Sequence, residues 1–326
     1  MSEGVLAILG SGETAPGMTK IHRRLFKSIA DLRAVNIDTS YGFQLNVPQM
    51  SQKLEEYFQT SLHVDVTTLH FPSFDNASEV ERALFKRRVR ESNYVFAGPG
   101  SPTYALAQWA PLHFEDDLQA VLGVGGTICI SSAASLTLGA FTAPIYEIYK
   151  VGDLTPVWRP GLNVLGAFGL NCAVIPHFDN AEGRNYDTRY CYLGEPRLLE
   201  LETQLPDDVA TLGVDEHTAV TFDFATDELR VEGRSNAYWR HGTDVRVLAN
   251  GSTLPLEDLR NAPTHRPADV SAAAVEADDS PLALADLAAR GGPAGINAIA
   301  RLVELASTGQ VDRGAPTALI EGIIGA

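Results

Sequence analysis

Nowhere in the 326 residues do eighteen apolar residues run together, so the sequence offers no membrane-spanning helix. Basic residues are scarce: 25 Lys and Arg stand against 41 Asp and Glu, a formal charge of −16. That excludes a nucleic-acid partner, which needs a basic face for phosphates, and electrostatic docking on a membrane of anionic lipid. A local basic pocket for a small acidic substrate stays open, because net charge says little about one cleft. Only three cysteines occur, Cys129, Cys172 and Cys191. Their number and spacing suit neither a disulfide framework nor a metal site, so reduced, buried thiols are expected. The start, MSEGVLAILGSGE, lacks the basic opening of a signal peptide, and a soluble, cytoplasmic protein is expected. Metal-ligand clusters are also lacking. GSGETA is no dinucleotide fingerprint, since the third glycine is missing and a glutamate would repel a pyrophosphate. No cofactor is expected.

What is present is an alternation of short apolar runs with amphipathic stretches, the pattern of a mostly parallel sheet flanked by helices. Strands are expected at Val5–Leu9, Ala34–Asp38, Val64–Phe71, Tyr94–Ala97 and Gly126–Ser131. Helices are expected near Thr19–Ile29, Gln49–Thr60, Ala77–Glu91 and Phe114–Leu122. In the third of these, Asn76 is placed as the cap with Glu79 as its capping-box partner. Val80, Leu84 and Val89 then form the apolar stripe, with the basic run FKRRVRES (85–92) on the wet side. Beyond a strand at Cys172–Ile175 and a helix around Pro196–Gln204, the chain turns to short β-rich runs. They lie at Ala210–Val214, Thr218–Phe222, Glu228–Glu232 and Val245–Leu248, and are read as an antiparallel flank. The expected organisation is one α/β hydrolytic domain over 1–250, a linker over 251–280 and a small helical C-terminal appendage over 281–326. The abrupt end, TALIEGIIGA, leaves truncation of that tail open.

Three strand ends carry the residues that chemistry would need. In GGTICISSAASLTLGAF (125–141) an apolar strand runs into Ser131-Ser132-Ala133-Ala134 and then a helix-compatible stretch. A nucleophile on such a turn is exposed at the carboxyl edge of a sheet, near backbone N–H groups that stabilise an oxyanion. The plain alternative is a helix N-cap serine. His177 comes directly after the strand in NCAVIPHFDN, and Asp215-Glu216 ends another in LGVDEHTAV. Each has an ordinary reading, as a packed histidine or a solvated turn. Together, in the order Ser, His, carboxylate, they meet the logic of a triad. Whether Asp215 or Glu216 orients the histidine stays open.

These segments resemble the peptidase E and cyanophycinase family of serine peptidases, whose fold is like that of class I glutamine amidotransferases (flavodoxin-like). That family shows a GxSAGA nucleophile turn, a PHF or QHF histidine and an E-x-T/S-A carboxylate turn. Here the matching residues are Ser132-Ala133, Pro176-His177-Phe178 and Glu216-His217-Thr218-Ala219. The turns GSGE (10–13) and FAGPGS (96–101) resemble its glycine-rich loops, and the likeness spans roughly residues 4–235. It implies Ser132, His177 and Glu216 as catalytic residues, with the Ala133 N–H as one oxyanion donor. Pro99 has no N–H to give, so the second donor falls to Gly98 or Gly100. Two departures stand out: Ile130 and Ala134 replace glycines of the motif, where a side chain is expected to crowd or tilt the serine. Ser131 and Cys129 are weaker nucleophile candidates, because both are expected to lie in the strand.

The run after His177 is nearer to peptidase E than to cyanophycinase-like members. This implies a small peptide or amide substrate, with a preference for N-terminal aspartate met by Arg184 and Arg189. Both arginines read equally well as surface charges. Two other functions stay open: a non-catalytic binding or regulatory module that kept the fold, and an amide-transfer partner of another subunit. A homodimer is also open.

Overall fold

The computed structural model describes residues 4–261 apart from Ser28, Leu154 and Thr243. Five strands, β1 (Val5–Leu9), β2 (Ala34–Ile37), β3 (Val66–Leu69), β4 (Tyr94–Ala97) and β5 (Thr127–Ser131), form the parallel part of the sheet. A two-stranded ribbon, β6 (Phe141–Thr142) and β7 (Arg159–Pro160), leads to β8 (Cys172–Ile175) and β9 (Ala210–Val214). The remaining strands are β10 (Thr218–Asp223), β11 (Glu228–Gly233), β12 (Ala237–His241), β13 (Asp244–Leu248) and β14 (Thr253–Pro255). The main sheet has eight strands in the order β14-β11-β10-β1-β5-β4-β2-β3, and a second sheet has the order β13-β12-β9-β8. The helices are α1 (Thr19–Lys27), α2 (Val47–Tyr57), α3 (Glu79–Glu91), α4 (Pro102–Trp109), α5 (Phe114–Gly123), α6 (Glu195–Glu202) and α7 (Glu257–Arg260).

Helices cover both faces of the parallel strands, which is why β2, β4 and β5 are buried at every residue, whereas the edge strand β3 is not. Leu6 and Ile8 of β1 join one core with Phe85, Trp109 and Leu118 from α3, α4 and α5. Ala7 and Leu9 point the other way, to a core with Ile21 and Leu25 of α1 and Phe58 after α2. The same alternation places Ile128 and Ile130 of β5 on the first face and Cys129 on the second. Among the described residues no helix is long and apolar enough to cross a membrane.

Four expectations need correction. Helix α3 is capped by Ser78 and Glu81, whose side chains and backbones bond reciprocally, and not by Asn76 and Glu79. Both pairs have capping-box spacing. Phe85 and Val89 face the core, and Val80 is exposed. The basic run is not simply solvated: Lys86 and Arg90 both pair with the carboxylate of Asp117, which is fully buried on α5. The antiparallel flank is split in two: β10, β11 and β14 extend the main sheet, whereas β9, β12 and β13 build the second one on β8. Finally, the sheet continues past residue 250, since β14 pairs with β11 and Leu256 and Leu259 are buried. The rest of the expected linker and the tail at 281–326 lie outside the described residues.

The second core holds a buried histidine on α1. The Nε2–H of His22 donates to the carbonyl oxygen of Glu13 at 2.8 Å, which leaves Nδ1 to accept from the Tyr94 hydroxyl at 3.2 Å. Aromatic rings of Phe26, Phe58 and Phe96 surround it. Burial pushes its pKa from 6.5 down to about 4, against the opposing pull of the Glu13 carbonyl. Between those two values the unfolded chain binds the proton that the folded one refuses, so stability rises with pH there. The contribution is complete above 6.5 and lost as pH falls toward 4, a change of about 3 kcal/mol. Chemical denaturation from pH 7 to pH 4 is expected to register this loss, and His22→Gln to lessen it. Equal pH slopes in the two proteins would refute the assignment.

Candidate active site

Strand β5 delivers a serine pair to the carboxyl edge of the main sheet. Ser131 is its last residue, and its hydroxyl donates to Glu13 Oε2 at 2.9 Å. Ser132 then turns the chain with a φ of 53°, a left-handed conformation that costs an L-residue roughly 1 kcal/mol or more. The chain continues as a 3-10 segment, Ser132–Leu138, where the sequence reads as helix-compatible. Ser135 and Thr137 explain the tight winding: their hydroxyls donate back to the carbonyls of Ser132 and Ala134. Ile130 and Ala134 do not crowd the turn. Both side chains lie in the core shared with α4 and α5.

The Ser132 hydroxyl lies 2.8 Å from His177 Nε2, and His177 Nδ1 lies 2.8 Å from Glu216 Oε1. An ionised carboxylate only accepts, so Nδ1 carries the proton and Nε2 is free to accept from the serine. The hydrogen bond from His177 holds the Glu216 carboxyl below its ordinary range, ahead of the opposing effect of burial. The side chains of His177 and Glu216 are 20% and 25% exposed, so the line of three opens to solvent. Asp215 is the wrong neighbour for this role. It points inward to Ser235, the Asn236 amide and Tyr238, and burial raises its pKa.

Backbone contacts fix the three segments to one another. His177 and His217 also adopt left-handed φ values, 49° and 54°. The His177 amide donates to the carbonyl of Gly10, and the Gly10 amide donates to the carbonyl of Thr218. A Cβ on Gly10 would sit 2.0 Å from the carbonyl oxygen of Asp215, and one on Gly12 would sit 2.2 Å from the His217 ring. Only glycine allows this approach. Ser11 accepts from the His217 amide, and Asp179 Oδ1 accepts from the Glu216 amide at 2.6 Å. Sequence reasoning missed Glu13, Ser11 and Asp179 as supports. Each is a polar residue at a strand end, but the partners lie 37 to 206 residues away along the chain.

The Gly98–Ser101 loop leaves β4 beside this turn. The Ser40 hydroxyl donates to the carbonyls of Gly98 and Pro99, and the Ser40 carbonyl accepts from the Ser101 amide. Gly100 has φ 146°, and a Cβ there would lie 1.9 Å from the carbonyl oxygen of Ser40. Ser101 caps α4, its hydroxyl accepting from the Tyr104 amide.

Other candidates fall away from the centre. Arg189 gives two nitrogens to Asp187 and one bond to Glu195, and these bonds hold the Asp187 carboxyl well below its ordinary range. Arg184 is exposed, and among the described residues no contact brings either arginine to Ser132 or His177. Burial pushes the Cys129, Cys172 and Cys191 thiols up to about 12, which keeps them protonated and poor nucleophiles. Among the described residues no group of three His, Cys, Asp or Glu is placed to hold a metal ion.

No protein-family model matches the chain, and no curated protein does. Solved structures do share its fold. A peptidase from an acI-B1 actinobacterium matches with a TM-score of 0.60 at 20% identity, over 78% of this chain and 97% of that one. A candidate peptidase E protein from Listeria monocytogenes EGD-e gives a TM-score of 0.44 at 11% identity, over 76% of this chain and 98% of that one. That second likeness is too loose to argue from. The first establishes a common fold, the α/β architecture with a mostly parallel sheet that the sequence led one to expect.

Proposed function

We propose that the chain is a serine-type hydrolase of small peptides or amides, of the peptidase E kind. One observation carries this reading: the continuous hydrogen-bonded line from Ser132 through His177 to Glu216, with 2.8 Å at each link. Such a line is what a general base needs to activate a hydroxyl. That a protein of the same fold is named a peptidase agrees with it.

In this mechanism the Ser132 oxygen attacks the substrate carbonyl carbon while His177 Nε2 takes its proton. Glu216 steadies the imidazolium that forms. The tetrahedral intermediate collapses as His177 returns the proton to the leaving amine, and an acyl-enzyme remains. Water, deprotonated by the same histidine, then releases the acid. The oxyanion takes one hydrogen bond from the Ala133 amide. Geometry favours Gly100 over Gly98 as the second donor. The Pro99 carbonyl points to Ser40, which comes after β2, and in a trans peptide the Gly100 N–H points the opposite way. Strand β5 lies on that opposite side of β4, so the donor is aimed toward the Ser132 turn. Ser40 is then a positioning residue. A non-catalytic module would be favoured by crowding of the serine turn at Ile130, but that side chain lies in the core. For a preference for N-terminal aspartate, Arg184 is exposed, whereas Arg189 already pairs with Asp187 and Glu195.

A fluorophosphonate probe is expected to add its mass at Ser132, and Ser132→Ala to lose both labelling and several orders of magnitude in hydrolysis at unchanged melting temperature. Full activity in Ser132→Ala would end the reading. Glu216→Gln is expected to lower kcat by roughly two to four orders of magnitude, whereas Asp215→Asn acts on stability instead. Ser40→Ala is expected to reduce kcat about tenfold with KM little changed, because it loosens a donor used only in the transition state. A change confined to KM would remove Ser40 and Gly100 from that role.

A further inference from the structure

Between the Gly10–Glu13 loop, the Gly98–Ser101 loop and helix α2 lies a cavity of about 410 Å³. Its deepest lining residues are Tyr41, Phe96 and Gly98, all buried. One wall is the run Met50, Leu54 and Tyr57, which shares a face of α2 by its spacing of four and three. These three are only half-buried, although Leu54 and Tyr57 also pack on the core that holds Phe58 and Phe96. The stripe therefore has apolar surface left over after the helix has docked. The polar tips of both tyrosines are engaged elsewhere. The Tyr41 hydroxyl accepts from Asn36 Nδ2 at 3.1 Å and bonds Ser51 at 3.2 Å, and the Tyr57 hydroxyl bonds Thr19 at 3.3 Å. Each ring offers the cavity its apolar body.

The polar members of the lining stand at the mouth. Thr14 and Lys53 are exposed, and Glu13 is half-buried with Oε2 accepting from Ser131. Glu13 and Lys53 carry opposite charges that offset one another, so the mouth selects neither an anion nor a cation. An apolar floor under a polar mouth takes an apolar group and leaves its polar attachment near solvent. Two features set the cavity beside the serine turn. Glu13 reaches Ser131, whose side chain lies on the α1 and α2 face of β5, opposite to that of Ile130. Gly98 and Pro99 belong to the loop that carries Gly100. We infer that this cavity receives an uncharged, apolar side chain of about leucine size, from a substrate residue adjoining the cleaved bond. The word substrate rests on the hydrolase reading; the apolar site itself rests only on the cavity.

The first test is binding to the Ser132→Ala protein, in which no turnover confuses the measurement. Nα-acetyl-leucine amide, Nα-acetyl-glycine amide and Nα-acetyl-aspartate amide are titrated by calorimetry. The leucine amide is expected to bind roughly tenfold more tightly than the glycine amide. That margin should persist as salt is added and carry a negative heat-capacity change. Met50→Trp, which fills the cavity from its wall, is expected to erase the margin. Met50→Ala is expected to enlarge the cavity and shift the preference toward Nα-acetyl-phenylalanine amide, with the melting temperature confirming that each variant is folded. Equal binding of leucine and glycine amides, no binding of either, tighter binding of the aspartate amide, or a margin that survives Met50→Trp would overturn the inference. The second test is kcat/KM with Ser132 intact, for peptides with leucine against glycine beside the cleaved bond. Met50→Trp is expected to remove the leucine advantage, and an unchanged ratio would overturn the substrate role. Leucine amide binding without any fluorophosphonate labelling of Ser132 would instead keep the apolar site and remove the hydrolase reading.

Discussion

The site depends on one close approach: the Gly10–Glu13 loop passes between three strand ends with no room for a side chain at Gly10 or Gly12. From that narrow passage it contacts every part of the machinery. Gly10 holds the His177 backbone, Ser11 holds the turn after Glu216, and Glu13 holds Ser131 beside Ser132. The carbonyl of Glu13 is in turn fixed by His22 in the core beneath. A hydrogen-bonded triad needs its members held within a few tenths of an ångström. Here they arrive on strands from two sheets, and a loop bonded to His177 and to the chain neighbours of Ser132 and Glu216 supplies the registration.

Left-handed backbone does the aiming. Ser132 and His177 follow strand ends, and His217 leads into β10, each with a φ near 50°. Such a residue ends the pleat abruptly, so its side chain stands off the sheet edge instead of lying against a neighbouring strand. The conformation is costly at each position and persists because the surrounding bonds over-determine it. The Glu216 turn has a further constraint, since the chain leaves the second sheet at Val214 and enters the main sheet at Thr218. Three residues span that change, and Asp179 pins the middle one from the histidine segment.

Much of this was legible because it is local. Fully buried strands announce themselves as short apolar runs, and a polar residue directly after such a run has to lie at the sheet edge. That places Ser132, His177 and the Asp215-Glu216 pair at the sheet edge from sequence. The choice of Glu216 over Asp215 was not local, because it depends on β12 pairing with β9, which brings Asn236 and Tyr238 to the Asp215 carboxylate. The cap of α3 was ambiguous for a different reason: two overlapping spacings, Asn76/Glu79 and Ser78/Glu81, satisfy the same local rule. Strand β14 went unseen because three residues at a sheet edge, ending in proline, carry too little pattern.

The departures at Ile130 and Ala134 are instructive about what a motif glycine is for. Glycine relieves a turn only when a side chain at that position would point into it. Ile130 is the second-last residue of β5, paired with Ile8 of β1 and Ala97 of β4. By the alternation of a strand its side chain faces α4 and α5, opposite to that of Ser131, and it fills space there that would otherwise be a void. Ala134 is buried in the same layer by the winding of the 3-10 segment. The strain of the turn is carried at Ser132 itself, in a left-handed φ held by the Ser135 hydroxyl on its carbonyl. A larger residue than alanine at 134 would press on that layer, whereas the Ile130 side chain belongs to the core and leaves the serine free to meet His177.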